Sequence, residues 1–576
     1  MRTILLSFCA FFLCLTSRGQ DAQTLDSIVQ QLKDFHAYDR SEYPLGLFTK
    51  EVYHKQAEFA EGLLDDLSLI DKENLSQTQQ ITAELLKFKL QEDVDFYRYE
   101  AYLNPLLSDY GFHLSLPYHV GPLESRTAVE SYLNKLRAVP QFVDQHLVLL
   151  REGLEKGITQ PRIIFNGYES TYDDQITKEP TESYYYSPFT TLPDVFTASE
   201  KDSIRSLAEG LIAENVIPQF IRIKKFFETE YFPQTRKEIG ISEIPGGRDY
   251  YQNRLNYYTT LDLTATEVHQ IGQREVERIN REMKKIIAEL NFEGDFAEFI
   301  DFLRTDSRFY AQTEEDLLKE ARDIAKRIDA QLPRFFKVLP RRPYGVAPVP
   351  EAIAPKYTTG RYIGARSDSH PGYYWVNTYD LPSRPLYVLP ALTAHEAVPG
   401  HHLQIERNAE LSEDFPSFRK QFYLSAFGEG WGLYSEYLAE EMGIYTTPYE
   451  RFGKLTYEQW RACRLVVDTG IHAMGWTRDE AVEFLRTNTA LSLHEINTEV
   501  DRYISWPGQA VSYKIGEIKI RELRGRAEKA LGENFDIRDF HEVILSQGTV
   551  TLKILEARVD NWIEERTMEL VQEKPA

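Results

Sequence analysis

The segment Thr393-Ala394-His395-Glu396-Ala397-Val398-Pro399-Gly400-His401-His402-Leu403-Gln404 gathers three histidines and a glutamate among apolar neighbours. Zinc takes neutral imidazole readily, and a hydrolytic zinc keeps three protein ligands plus a water whose pKa falls to about 7. Where two histidines sit one helical turn apart, a glutamate directly after the first serves as general base. One turn after His395 stands Pro399, so that spacing is not met. On an unbroken helix His401 would point about 120° away from His395, whereas His402 would return nearly in line, about 10 Å along the axis. Proline removes a backbone donor and clashes one turn back, and glycine opens further conformations. Pro399-Gly400 therefore predicts a kink or bulge that can re-aim a side chain.

The string His395-Glu396-x-x-Pro399-Gly400-His401-x-x-Gln404 resembles the signature of a bacterial family called domain of unknown function 885. That family is similar to helical zinc metallopeptidases of the thermostable carboxypeptidase, thimet oligopeptidase and angiotensin-converting enzyme type. The histidine after Pro-Gly is the recurring one there, so the resemblance implies zinc on His395 and His401, with Glu396 as base. It implies a third ligand, Glu429, within Phe427-Gly428-Glu429-Gly430-Trp431 on a second helix. Glu436, two turns further on, would orient a ligand histidine. By the same resemblance Tyr513 would steady the developing oxyanion.

Further residues are expected around the substrate or behind the ligands: His402, His472, Arg502, Tyr503, Tyr374 and Asn377. Arg502 carries a guanidinium fork suited to a peptide's terminal carboxylate. Tyr374 and Asn377 lie in Gly372–Tyr379, an aromatic and β-branched run that together with Gly360–Ile363 reads as a strand region; in the resembled peptidases an edge strand before the metal helix aligns substrate backbone. The resemblance spans roughly Leu25 to Glu569 and is densest in Gly372–Glu436 and Val467–Gly516.

At the amino end, Met1-Arg2-Thr3 followed by apolar Ile4–Leu15 and then Ser17-Arg18-Gly19 reads as a signal peptide over 1–19, cleaved after Gly19. Cys14 lacks the small residue before it that lipid modification needs, so no lipid anchor is expected. The mature chain then keeps only Cys463, and no internal disulfide is available. With 89 acidic against 66 basic residues, net −23, the chain lacks the basic footprint of nucleic-acid binding. No later apolar run is long enough to cross a bilayer.

Apolar residues recur at helical spacing through Ala57–Leu69, Thr78–Phe88, Ala128–Lys156 and Ser203–Tyr231, and Thr264-Ala265-Thr266-Glu267 is a capping box. Pro340–Pro355 reads as a connector and Ser383-Arg384-Pro385 as the start of the metal helix. Tyr184-Tyr185-Tyr186 would line a cleft or cap a loop. The expected fold is mainly α, a two-lobed metallopeptidase-like unit with a deep cleft and a small β-sheet beside the metal helix. Its lobes are 20–240 and 241–576. The expected function is an exported zinc metallopeptidase, periplasmic or extracellular, acting on oligopeptides. Two alternatives stand beside it: a zinc hydrolase of a small amide or ester, and a catalytically silent binding protein of the envelope.

Overall fold

The computed structural model describes residues 19–351, 353–354, 357–365 and 370–572. Apart from Gly19, the expected signal segment lies outside them. The fold is mainly α, with one small sheet among the described residues. The chain divides into two compact units, one holding the residues up to Tyr250 together with Thr498–Trp506, the other Tyr251–Asn497 and Pro507 onward.

The first unit contains helices Lys50–Ser68, Gln77–Arg98 and Arg126–Lys156. Thr49, Ser76 and Ser125 cap them, each hydroxyl accepting a first-turn backbone N–H that would otherwise lack a partner. The core here is aromatic: His146 stacks on Phe112 with ring centroids 4.6 Å apart. Tyr185 and Tyr186 are buried, and the Tyr132 hydroxyl donates to the Tyr185 carbonyl at 2.9 Å. Two of the three tyrosines thus belong to the unit's interior, while Tyr184 stays exposed at its surface. Thr498–Trp506 is held here by Ser505, whose carbonyl accepts from Gln160 Nε2 at 2.9 Å and whose hydroxyl accepts from the Ser108 amide at 3.1 Å.

Six helices organise the second unit: α1 (Ala265–Glu289), α2 (Leu389–Glu396), α3 (His401–Ala409), α4 (Ser425–Glu441), α5 (Pro448–Ala473) and α6 (Ser512–Leu531). The Thr264–Glu267 box opens α1 as its sequence predicts. Between α1, α5 and α6 lies a buried ionic cluster. Lys514, with no exposed side-chain surface, reaches Glu517 at 2.7 Å, Glu458 at 2.8 Å and Glu275 at 3.0 Å. Arg278 also pairs with Glu458, and Arg521 with Glu517 at 2.9 Å. Breaking such a group leaves a dehydrated charge uncompensated, at a cost of about 3–5 kcal/mol, so the cluster fixes α6 against α1 and α5.

Strands β1 (Tyr344–Pro348), β2 (Gly360–Ile363) and β3 (Gly372–Val376) form a sheet in the order β1-β3-β2. β1 runs parallel to β3 and β2 antiparallel to it. Two expectations need correction. The segment Pro340–Pro355 is not a plain connector, because Tyr344–Pro348 pairs along β3; its proline sits at the strand's last position, where a missing N–H is tolerated. The helix that carries His395 starts at Leu389 with Pro390 in its first turn, while Leu381–Ser383 and Leu386–Val388 are separate 3₁₀ turns.

α4 and α6 approach backbone to backbone. A Cβ on Gly430 would lie 2.6 Å from the Gly516 backbone, and one on Gly516 would overlap the Ala426 carbonyl. Gly516→Ala is therefore expected to force the two helices apart, costing about 1–3 kcal/mol and lowering the melting temperature followed by circular dichroism. Gly525→Ala, on the same helix with open space around it, serves as the control that keeps or raises its melting temperature.

Candidate metal centre

α2 and α3 are separated by four residues. Ala397 and Gly400 leave helical geometry at ψ −110 and −127, and the Val398–Pro399 peptide is cis. The Trp431 indole N–H donates to the Pro399 carbonyl at 2.7 Å and holds this interruption in place. A Cβ on Gly400 would collide with the His395 carbonyl, so the chain can fold back here only at glycine. The result is a stagger that an unbroken helix forbids: the His395 and His401 rings stand 4.7 Å apart at 85° to one another.

Glu429 on α4 completes the group. Its Oε2 lies 3.4 Å from His395 Nε2 and 3.4 Å from His401 Nε2. One donor atom from each of the three residues lies within 4.8 Å of the other two. For metal–ligand bonds of about 2.1 Å, the edge of a tetrahedron is about 3.4 Å, so these two separations suit a small dication. All three side chains are largely withdrawn from water. The donor set of two nitrogens and one carboxylate oxygen is itself that of hydrolytic metal sites.

Behind the three residues, His395 Nδ1–H donates to Glu436 Oε1 at 2.8 Å, which orients the ring with Nε2 facing Glu429. Arg461 stands 3.9 Å from that carboxylate. The Tyr423 hydroxyl donates to Glu429 Oε1 at 2.8 Å and leaves Oε2 to the histidines. Desolvation, and then Glu429 and Tyr513, hold the Tyr423 phenol well above its ordinary range, so it stays a donor. Burial alone would depress His395, but hydrogen bonds to Glu429 and Glu436 and the nearby Glu396 lift it to about 10. Burial would raise Glu429; His401 and His395 instead bring it well below the carboxylate range. The site concentrates negative charge on imidazoles, a field that favours a cation.

Three glycines alternate along α4 around Glu429. A Cβ on Gly432 would come 2.6 Å from the His395 ring, one on Gly428 would meet the Tyr423 ring, and Gly430 faces Gly516. Each costs about 1 kcal/mol against alanine in a helix, and each admits a group the centre uses.

Of the other expected residues, Glu396 is beside the ligands, its Oε2 accepting the Tyr362 backbone N–H at 2.8 Å. Tyr513 carries the Arg464 guanidinium 4.6 Å over its ring and interacts electrostatically with Tyr423. His402 turns away from this group: its Nδ1 lies 3.0 Å from the Tyr362 hydroxyl, which donates to Glu406 at 3.0 Å. Three expectations are corrected. Tyr374 is fully buried, and the Asn377 amide is spent on the carbonyls of Ala354, Tyr357 and Thr358, so both hold the sheet's inner face and loop and neither is open to substrate. His472 is a core residue, its ring 5.2 Å from that of Tyr251. Arg502 pairs with Glu499 at 3.6 Å and Tyr503 is buried, both within the first unit. Sequence reasoning missed Tyr423, Tyr362 and Arg361. Tyr423 lies in the non-helical turn before α4, where no spacing rule relates it to Glu429.

The chain matches, over residues 36–559, the model of a family described as a bacterial protein of unknown function (DUF885). A candidate lipoprotein from Colwellia psychrerythraea, known from a crystal structure, is 26% identical with a TM-score of 0.84, the match covering 95% of this chain and 100% of that one. A candidate lipoprotein of unknown function from Shewanella oneidensis is 18% identical with a TM-score of 0.65, over 94% of this chain and 98% of that one, and shares the fold. No curated protein matches.

Alanine at His395, His401 or Glu429 is expected to abolish stoichiometric metal binding measured by calorimetry, and Glu436→Ala to weaken it about 10–100-fold. Because a metal must displace the proton that His395 holds up to about pH 10, affinity is expected to rise with pH below that value, with proton release in buffers of different ionisation heat.

Proposed function

The chain belongs to the bacterial DUF885 family, and we propose that it is a zinc-dependent metallopeptidase acting on oligopeptides. One observation carries the reading: His395, His401 and Glu429 converge in a buried place while a fourth group, Glu396, stands beside them with its own backbone anchor. Two imidazoles and one carboxylate suit zinc better than calcium or magnesium, which prefer six or more oxygens. When bound, zinc supplies Lewis-acid activation of water and of the scissile carbonyl.

The chain's own residues do the rest. Glu396 takes the proton from the attacking water and delivers it to the leaving amine. The Tyr362 amide holds one oxygen of Glu396 and leaves the other for that proton. Glu436 and Tyr423 hold His395 and Glu429 in register. Tyr513 donates to the oxyanion as the carbonyl becomes tetrahedral.

An amino-terminal export signal, and the likeness to candidate lipoproteins, support a place outside the cytoplasm or in the envelope. The expectation that no lipid anchors the chain draws no support from those neighbours. No described helix is long and apolar enough to cross a membrane.

Digestion of a mixed peptide library, read by mass spectrometry, is expected to give cleavage that a chelator stops and zinc restores. Hydrolysis of small amides or esters alone would select the second reading, and zinc binding without any hydrolysis the third. Glu396→Gln is expected to keep one zinc per chain and lose about 10²–10⁴-fold in kcat.

A further inference from the structure

The sheet beside the centre has two unlike faces. Tyr362 and Tyr374 point inward and are buried, while Arg361, Ile363, Tyr373 and Trp375 alternate onto the opposite face. Arg361 lies directly across from Trp375 in the β2–β3 register. Tyr373 is 39% exposed, and its ring lies over Gly345, where a Cβ would come 2.5 Å from it. This is an aromatic platform with one cation at its edge.

Arg361 is one residue before the amide that holds Glu396. Its guanidinium senses Tyr357, Glu396, Tyr513 and Glu429, which together outweigh the desolvation of a crowded wall. None of these engages it in an ion pair: Glu396 is taken by the Tyr362 amide, and Glu429 by Tyr423 and the histidines. An exposed arginine one residue from the amide that holds Glu396, with no carboxylate paired to it among the described residues, differs from Arg502, which Glu499 already occupies.

We propose that Arg361 receives a carboxylate of the substrate, so that the centre prefers peptides bearing one within about two residues of the scissile bond. Two residues of extended chain cover about 7 Å, matched to the reach of an arginine from the sheet edge. The planar fork accepts both oxygens of a carboxylate, and the aromatic face receives the apolar side chain beside it. The inference rests on the peptidase reading and names the substrate class for it. The carboxylate can be the peptide's own carboxy terminus or an acidic side chain, and the test separates the two.

The full zinc-loaded chain and its Arg361→Gln and Arg361→Lys variants are compared on short peptides in matched pairs: free against amidated carboxy terminus, and Asp against Asn beside the cleaved bond. The parent is expected to favour one carboxylate member by about 10–100-fold in kcat/KM. That ratio should fall to about 1 in Arg361→Gln and recover in part in Arg361→Lys. Peptide binding in the Glu396→Gln background, with and without Arg361→Gln, gives the same ratio without turnover. Cleavage by the parent with no preference in either pair, or a preference that survives Arg361→Gln in correctly folded, zinc-replete protein, overturns the assignment and leaves the peptidase reading standing. Failure to cleave or bind any peptide overturns both.

Discussion

The centre depends on a backbone interruption. Two histidines six residues apart cannot share one point from a continuous helix, and the four residues between α2 and α3 remove that obstacle by ending one helix and starting another. Proline stops the hydrogen-bond ladder, glycine permits the close return, and Trp431 from α4 holds the turned segment by a single indole bond. The same helix that clamps the turn also carries Glu429 and Glu436, so ligand, supporting carboxylate and clamp move as one rigid body.

That rigid body is itself fixed by unusual means. α4 meets α6 with no side chain between them at Gly430 and Gly516, and α6 is tied to α1 and α5 by the charges around Lys514. Tyr513 is the residue before that lysine. Its place on α6 is therefore tied to a buried ionic cluster as well as to apolar packing, and removing one member of that cluster would leave a dehydrated charge uncompensated.

Much of this was legible in the chain. Helical periodicity, the Thr264 capping box and the β-branched run at Gly372 gave the mainly α fold with its small sheet, because each is a local signal. The residues His395, His401, Glu429 and Glu436 could be named from a motif, although composition and spacing alone left His401 and His402 open; the backbone break distinguishes them. What stayed hidden depends on contacts distant in sequence. Tyr344–Pro348 is a strand only because β3 offers it a partner, Tyr423 reaches Glu429 through a turn without periodicity, and the Tyr362 amide finds Glu396 thirty-four positions away. Arg502, adjacent to a strongly matching stretch, packs in the first unit, a division that no linker composition announces.

The alternating glycines of α4 have an evolutionary consequence. Around Glu429 the neighbouring helix, a ligand ring and a phenol each occupy the volume where a single methyl group would stand. The smallest change a codon can make at Gly428, Gly430 or Gly432 is thus already too large, and gradual drift through intermediate side chains is closed. A side chain at any of the three is accommodated only if the facing backbone or ring moves aside.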